Sequence, residues 1–215
     1  MRVLATNISQ PREIQFRGET HLTGIFKTPT EEPVYLGREG VRNDAVIDLV
    51  NHGGRDKAIY AFASDHYDYW RDTLDKPDMP PGAFGENLTI SGLIESDIHI
   101  GDQLAIGNAI LEVSQPRVPC FKLGIALNDE RAPALFTRHF FTGVYFRVLR
   151  EGEVRAGDTA SIVHRHGAAV SVHSLFRARY DSAWDSATET MESALDVAAL
   201  APEWQEKART YLARR

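Results

Sequence analysis

Ile98-His99-Ile100-Gly101-Asp102-Gln103-Leu104-Ala105-Ile106-Gly107-Asn108-Ala109-Ile110-Leu111-Glu112-Val113 has the period of a β-hairpin. Leu104 and Ile106 alternate with polar or small residues before Gly107-Asn108, and Ala109, Leu111 and Val113 alternate after it. Gly-Asn accepts the positive φ that a two-residue hairpin turn requires. Working outward, short apolar or alternating runs broken by Gly, Pro, Asn and Asp recur on both sides. Strands are predicted over Val3 to Ile8, Leu22 to Phe26, Val34 to Leu36, Val46 to Val50, Ala58 to Phe62 and Asn87 to Ser91, and downstream over Thr142 to Arg150 and Thr159 to His164. Ser64 is placed to cap a helix from about Asp65 to Leu74, and Phe121 to Leu127 and Pro133 to Phe140 read as short helices. Many short strands at close spacing predict a barrel or closed sheet rather than βαβ units.

After Gly167 the period changes to 3.6. Val172, Leu175, Phe176 and Arg179 share one helical face, Trp184, Ala187, Met191 and Leu195 a second, and Pro202 opens a third helix carrying Trp204, Ala208 and Tyr211. The chain therefore reads as a mainly β domain over residues 1–167 and a small three-helix domain over 168–215. So short a bundle cannot build a sufficient core alone. It needs the sheet or a second subunit to cover it, and a homodimer is one expectation.

The 215 residues carry 24 basic and 30 acidic side chains, a net charge of -6. This gives no general attraction to nucleic acid or to anionic membrane. The tail from Val170 onward has six basic against seven acidic residues and lacks a basic footprint. No run approaches a membrane span, and the first residues lack the apolar stretch of a signal peptide. A single cysteine excludes an internal disulfide, and the cytoplasm is the expected compartment.

That cysteine lies in Gln115-Pro116-Arg117-Val118-Pro119-Cys120-Phe121-Lys122-Leu123. Pro116 and Pro119 fix φ, and the residues before them are driven to extended geometry. The segment should be a stiff strand exit. Arg117 and Lys122 flank the thiol, and positive charge favours the nucleophilic, metal-binding thiolate. The plain alternative is a small buried hydrophobe without chemistry.

Two polar loops could join it. In Asn51-His52-Gly53-Gly54-Arg55-Asp56-Lys57, paired glycines can present backbone amides to an anion while Arg55 and Lys57 add charge; an ordinary Gly-Gly turn with solvated charges explains the same residues. His52 could equally be a structural histidine. In Gly85-Glu86-Asn87-Leu88-Thr89, Glu86 and Asn87 offer the acceptors and donors that a heterocycle needs, though turn chemistry also favours them. No zinc ligand set, Walker or Rossmann pattern, or serine nucleophile elbow is present.

Taken together and in order, His52-Gly53-Gly54 with Lys57-Ala58-Ile59-Tyr60-Ala61, then Phe84-Gly85-Glu86-Asn87-Leu88, then Gln115 to Leu123, resemble MOSC-domain proteins of the YiiM type. The helical tail resembles the three-helix appendage of that group. The resemblance implies a β-barrel binding molybdenum cofactor (molybdopterin), with Cys120 as the protein ligand of the metal. It implies reduction of N-hydroxylated compounds to amines, for example 6-hydroxylaminopurine to adenine. An electron-donor reductase or ferredoxin-like protein would supply the electrons. Carried over by position, Cys120, Glu86 and His52 are the catalytic candidates. Gly53, Gly54, Arg55, Lys57, Asn87, Arg117 and Lys122 are the candidate cofactor contacts. One departure is Val41-Arg42-Asn43-Asp44, where the pattern has a Gly-Asp pair. The alternative is a carrier that holds cofactor or a Cys120 persulfide without turnover.

Overall fold

The structure is a computed structural model describing residues 1–167 and 170–214. In chain order, the first half holds strands β1 (Arg2–Ile8), β2 (Arg12–Phe16), β3 (Glu19–Thr23), β4 (Thr28–Thr30), β5 (Val34–Gly37) and β6 (Gly40–Val41), helix α1 (Leu49–His52), β7 (Ile59–Ala63), α2 (Tyr67–Leu74) and β8 (Leu88–Ser91). Then come β9 (Gln103–Ile106), β10 (Ala109–Pro116), α3 (Phe121–Ala126), α4 (Ala132–His139), β11 (Val144–Arg150), β12 (Gly152–Val154) and β13 (Ala160–His164). The tail is α5 (Val172–Tyr180), α6 (Ala187–Leu195) and α7 (Pro202–Leu212).

Eight strands form one sheet in the order β13-β9-β10-β11-β7-β8-β1-β4. The predicted hairpin is β9 and β10, second and third from one edge, with Ala109 paired to Ile106 and Leu111 to Leu104. Neighbours are antiparallel except β7 and β8, which run parallel with α2 in the crossover between them. One βαβ unit is therefore present where none was expected. The parallel pair needs a long crossover, and α2 supplies it.

The sheet curls until its ends approach. Val3 N donates to the Asp158 carbonyl (2.9 Å) and Gly157 N to that of Val3 (2.8 Å). Only one bridge, Arg2 with Thr159, joins these segments, so the expected closed barrel is not formed as a continuous ladder.

Two further expectations are corrected. Residues 46–50 are not a strand: the Asp48 carbonyl accepts from His52 N (2.8 Å), which starts α1 and leaves it no place in a ladder. Ser64 does not cap α2. It opens a separate 3-10 turn, Ser64–His66, and the helix follows from Tyr67 with no side-chain cap bond.

The tail packs on the sheet of its own chain. One apolar cluster runs from Leu104, Leu111, Val113 and Phe146 to Phe176, Met191 and Trp204, all fully buried. Each such side chain contributes about 1.5–3 kcal/mol on burial. Ser171 caps α5 by accepting from Ser174 N (3.0 Å), as its position before the apolar run suits. Ala201 N donates to the Ser114 carbonyl (3.1 Å), which fixes the start of α7 against β10. One apolar core thus runs across the boundary expected after 167. Residues 168, 169 and 215 of the expected tail lie outside the described residues. A second, aromatic cluster of Phe62, Trp70, Phe84 and Phe136 fills the space under α2 and α4. It supports the loop that leads into β8.

Candidate functional site

β10 ends at Pro116, and the next residues carry the chain to Cys120 in extended geometry (φ -121°, ψ 173°) immediately before α3. The Cys120 carbonyl accepts from Leu123 N (3.0 Å), so the helix pins the cysteine from one side and the prolines from the other. The half-buried thiol lines two adjoining cavities. The first has Lys27, Asp48, His52, Lys57, Tyr60, Asn87, Arg117, Lys122 and Tyr145 in its wall. The second lies between residues 115–122 and the first turn of α7.

The first cavity is basic. Arg117 is 5% exposed, with its guanidinium carbon 5.1 Å from the Tyr60 ring centre and 5.2 Å from that of Phe136. Its Nη1 has no hydrogen-bond partner among the described residues. Burial opposes its charge, yet Tyr60, Tyr145 and Cys120 around it hold its pKa above the ordinary value. Lys122 Nζ lies 3.8 Å from Asp48, and Lys57 Nζ 2.6 Å from Glu203 of α7. Lys27 pairs with Asp44 beneath the floor; burial pulls its pKa down while Asp44 opposes the shift. His52 responds to this surplus. Burial first, then the charges of Arg117 and Lys122, hold its pKa at about 4. The imidazole is therefore neutral at pH 7. Burial also pushes Tyr145 up to about 12, so its hydroxyl stays protonated.

Such a wall suits an anion beside a sulfur ligand. Among the described residues no group of three or more His, Cys, Asp or Glu is placed to hold a metal ion, so the chain offers Cys120 as one soft ligand. The family described as the MOSC domain matches residues 48–161, which contain Cys120, His52 and both polar loops. The chain belongs to the MOSC family, in its YiiM branch.

The crystal structure of YiiM from Geobacillus stearothermophilus superposes with a TM-score of 0.81 at 32% identity, covering 98% of each chain. Protein YiiM of Escherichia coli (strain K12) is 32% identical over 71% of this chain and 69% of its own. The uncharacterised protein YflK of Bacillus subtilis (strain 168) is 37% identical over 94% of this chain and 90% of its own. A protein of Gibberella moniliformis named reductase is 34% identical over 73% of this chain, which spans 29% of that longer protein.

In this MOSC site, Cys120, His52, Lys57, Asn87, Arg117 and Lys122 line the first cavity as the sequence suggested. Gly53, Gly54 and Arg55 do not; Gly54 and Arg55 are exposed. Gly54 adopts φ 86°, so its role is to turn the chain between α1 and the 3-10 turn Arg55–Lys57.

Glu86 is not in the cavity wall either. It is fully buried and accepts from Gly82 N (2.8 Å), Phe84 N (3.1 Å), Thr89 Oγ1 (2.8 Å) and the Tyr67 hydroxyl. Burial raises its pKa, and the bonds from Tyr67, Gly82 and Thr89 work against the rise. Its work is to fold the 82–89 loop. Glu86 is thus fully buried, while a pKa of about 4 leaves His52 neutral near pH 7.

Sequence reading missed Lys27, Tyr60, Tyr145 and the hub carboxylate Asp44. Asp44 accepts from Ser9 N (2.8 Å) and from Asn87 Nδ2 (2.8 Å) as well as from Lys27. The departure at Asn43 resolves here. Asn43 has φ 66°, the left-handed conformation that glycine would take, and asparagine tolerates it. Asp44 is thus delivered to Ser9, Lys27 and Asn87.

Proposed function

We propose that this protein is a molybdenum-cofactor-dependent reductase of N-hydroxylated compounds. The reaction is R-NHOH plus two electrons and two protons giving R-NH2 and water: the N–O bond breaks, nitrogen is reduced, and the oxygen leaves as water. The observation that carries this reading is Cys120, a lone thiol held at the junction of two cavities that share Lys122, Lys57 and His52, the first of them walled by Arg117 as well.

The residues present suit the cofactor. Arg117 has a buried donor without a partner facing an otherwise basic cavity, which fits the anionic phosphate end of a pterin. Cys120 supplies the soft sulfur that such a metal prefers. When bound, the cofactor provides a metal that cycles by two electrons, which no side chain can do.

The chain does the rest. Arg117, Lys122 and Lys57 hold the anionic end and keep water from competing for it. Neutral His52 carries one ring proton and can donate a hydrogen bond without giving the proton up. Tyr60 and Tyr145 remain protonated and form the flat walls. The electrons come from a separate donor protein of reductase or ferredoxin-like type. The family membership and the fungal relative named reductase support this reading.

The test is molybdenum content and reduction of 6-hydroxylaminopurine with an artificial donor, for wild type beside Cys120→Ala. Loss of metal-dependent turnover in a folded variant supports the proposal. Full activity in that variant sinks it. Cofactor loading without any turnover in wild type identifies the carrier instead.

A further inference from the structure

The second cavity is built by both parts of the chain. Gln115 and Tyr145 enter it from β10 and β11, Cys120 from the strand exit, and Glu203 and Trp204 from the first turn of α7. It meets the first cavity along Asp48, His52, Lys57, Cys120, Lys122 and Tyr145, which line both. The Lys57–Glu203 pair thus stands where the two spaces join. The start of α7 is fixed there by Ala201 N bonding to Ser114 in β10, and α7 packs through Trp204 into the main core.

Two side chains of this cavity carry buried atoms with no hydrogen-bond partner among the described residues. They are the Gln115 carbonyl oxygen Oε1, on a residue 1% exposed, and the Trp204 indole Nε1–H, on a residue 0% exposed. An unpaired buried acceptor or donor costs about 1–3 kcal/mol, a cost that a ligand bonded to it in this cavity would offset. Gln115 offers an acceptor and Trp204 a donor. A planar heterocycle with a ring nitrogen beside an N–H group presents the complementary pair.

We propose that this second cavity is the substrate site, in which Gln115 and Trp204 select a planar nitrogen heterocycle. The tail is then part of the substrate site, and α7 is the element that sets specificity. The proposal rests on the reductase reading for the ligand's identity but not for its geometry.

The experiment uses full-length protein and adenine, the amine product of 6-hydroxylaminopurine, followed by calorimetry. Trp204→Phe keeps an aromatic ring and removes the indole N–H together with the five-membered ring; Gln115→Met keeps the length and removes the amide. Each should weaken adenine binding about fivefold to tenfold, the value of one hydrogen bond. Binding of inorganic phosphate in the first cavity should be unchanged in both. In cofactor-loaded protein both variants should raise KM with kcat within about twofold.

Wild type that binds no adenine, or adenine affinity unaltered in both variants, overturns the proposal. Should Trp204→Phe fold poorly, Gln115→Met decides alone. Failure of the reductase reading shows separately, as wild type without molybdenum or turnover. A loss of adenine affinity in the variants then still supports the site.

Discussion

The Asn87 side-chain amide donates to the Asp44 carboxylate over 2.8 Å, joining the loop before β8 to the segment after β6 beneath the basic cavity. The same carboxylate pairs with Lys27, and the two side chains are 1% and 7% exposed. Asp44→Ala would leave a buried ammonium, an amide and Ser9 N without their acceptor. Breaking a buried pair from one side costs about 3–5 kcal/mol, which lowers the melting temperature of a chain this size by roughly 10 °C. Adding Lys27→Met should recover part of the loss, because the uncompensated charge is then gone. Thermal melts of the single and double variants check this. A single variant that melts with wild type removes Asp44 from its role as hub.

Asn43 precedes that hub at φ 66°. An L-residue without asparagine's local hydrogen bonding loses about 1–2 kcal/mol in this conformation. Asn43→Ala should therefore destabilise by about 1 kcal/mol while Asn43→Gly stays within a few tenths. Urea unfolding with unchanged slope measures it, and equal losses in both variants would show that the side chain, not the backbone angle, matters.

Glu86 tests structure against chemistry. Glu86→Gln offers one acceptor oxygen where four donors converge, so at least one of Gly82 N, Phe84 N or the Tyr67 hydroxyl loses its partner. The cost is about 1–3 kcal/mol per orphaned group. The expected result is a lower melting temperature with cofactor content and turnover per folded molecule retained. Wild-type stability combined with lost turnover would return Glu86 to the catalytic list.

These residues show what could be read from sequence. The strands around Gly107-Asn108 alternate cleanly and were legible, as was the tail, whose period is 3.6. The hairpin of β2 and β3 was not: Arg12, Glu13, Gln15, Glu19 and Thr20 give no apolar alternation, and only the positive φ of Arg17 and Gly18 marks the turn. The Cys120 segment was legible because proline geometry is local. Glu86 and Asp44 were misread or missed for the opposite reason. A carboxylate in a polar loop reads as solvated or catalytic, and only tertiary contacts over tens of residues reveal it as a buried acceptor. Likewise Lys27, 90 positions from Arg117 in a plain loop, carries no local sign of lining the same cavity.

His52 and Arg117 form the last coupled pair. With a pKa of about 4 in the folded chain, His52 stays neutral while the unfolded chain takes up a proton as pH falls below about 6.5. Stability is therefore lost between pH 6.5 and 4, on the order of 2 kcal/mol after allowance for solvent screening, and levels off below pH 4. His52→Asn should flatten that part of the pH profile. Arg117 is the largest charge acting on the ring, so Arg117→Gln should raise the pKa of His52. Inorganic phosphate, by neutralising the same charge, should raise it in wild type. Arg117→Lys should restore the low pKa only in part, since an ammonium cannot keep the planar stack against Tyr60 and Phe136. Proton NMR titration of the His52 ring, with and without phosphate, reads each shift. A ring that titrates near 6.5 in wild type, or ignores both phosphate and Arg117→Gln, would mean that the basic cavity does not act on His52 and would remove the electrostatic ground for anion binding there.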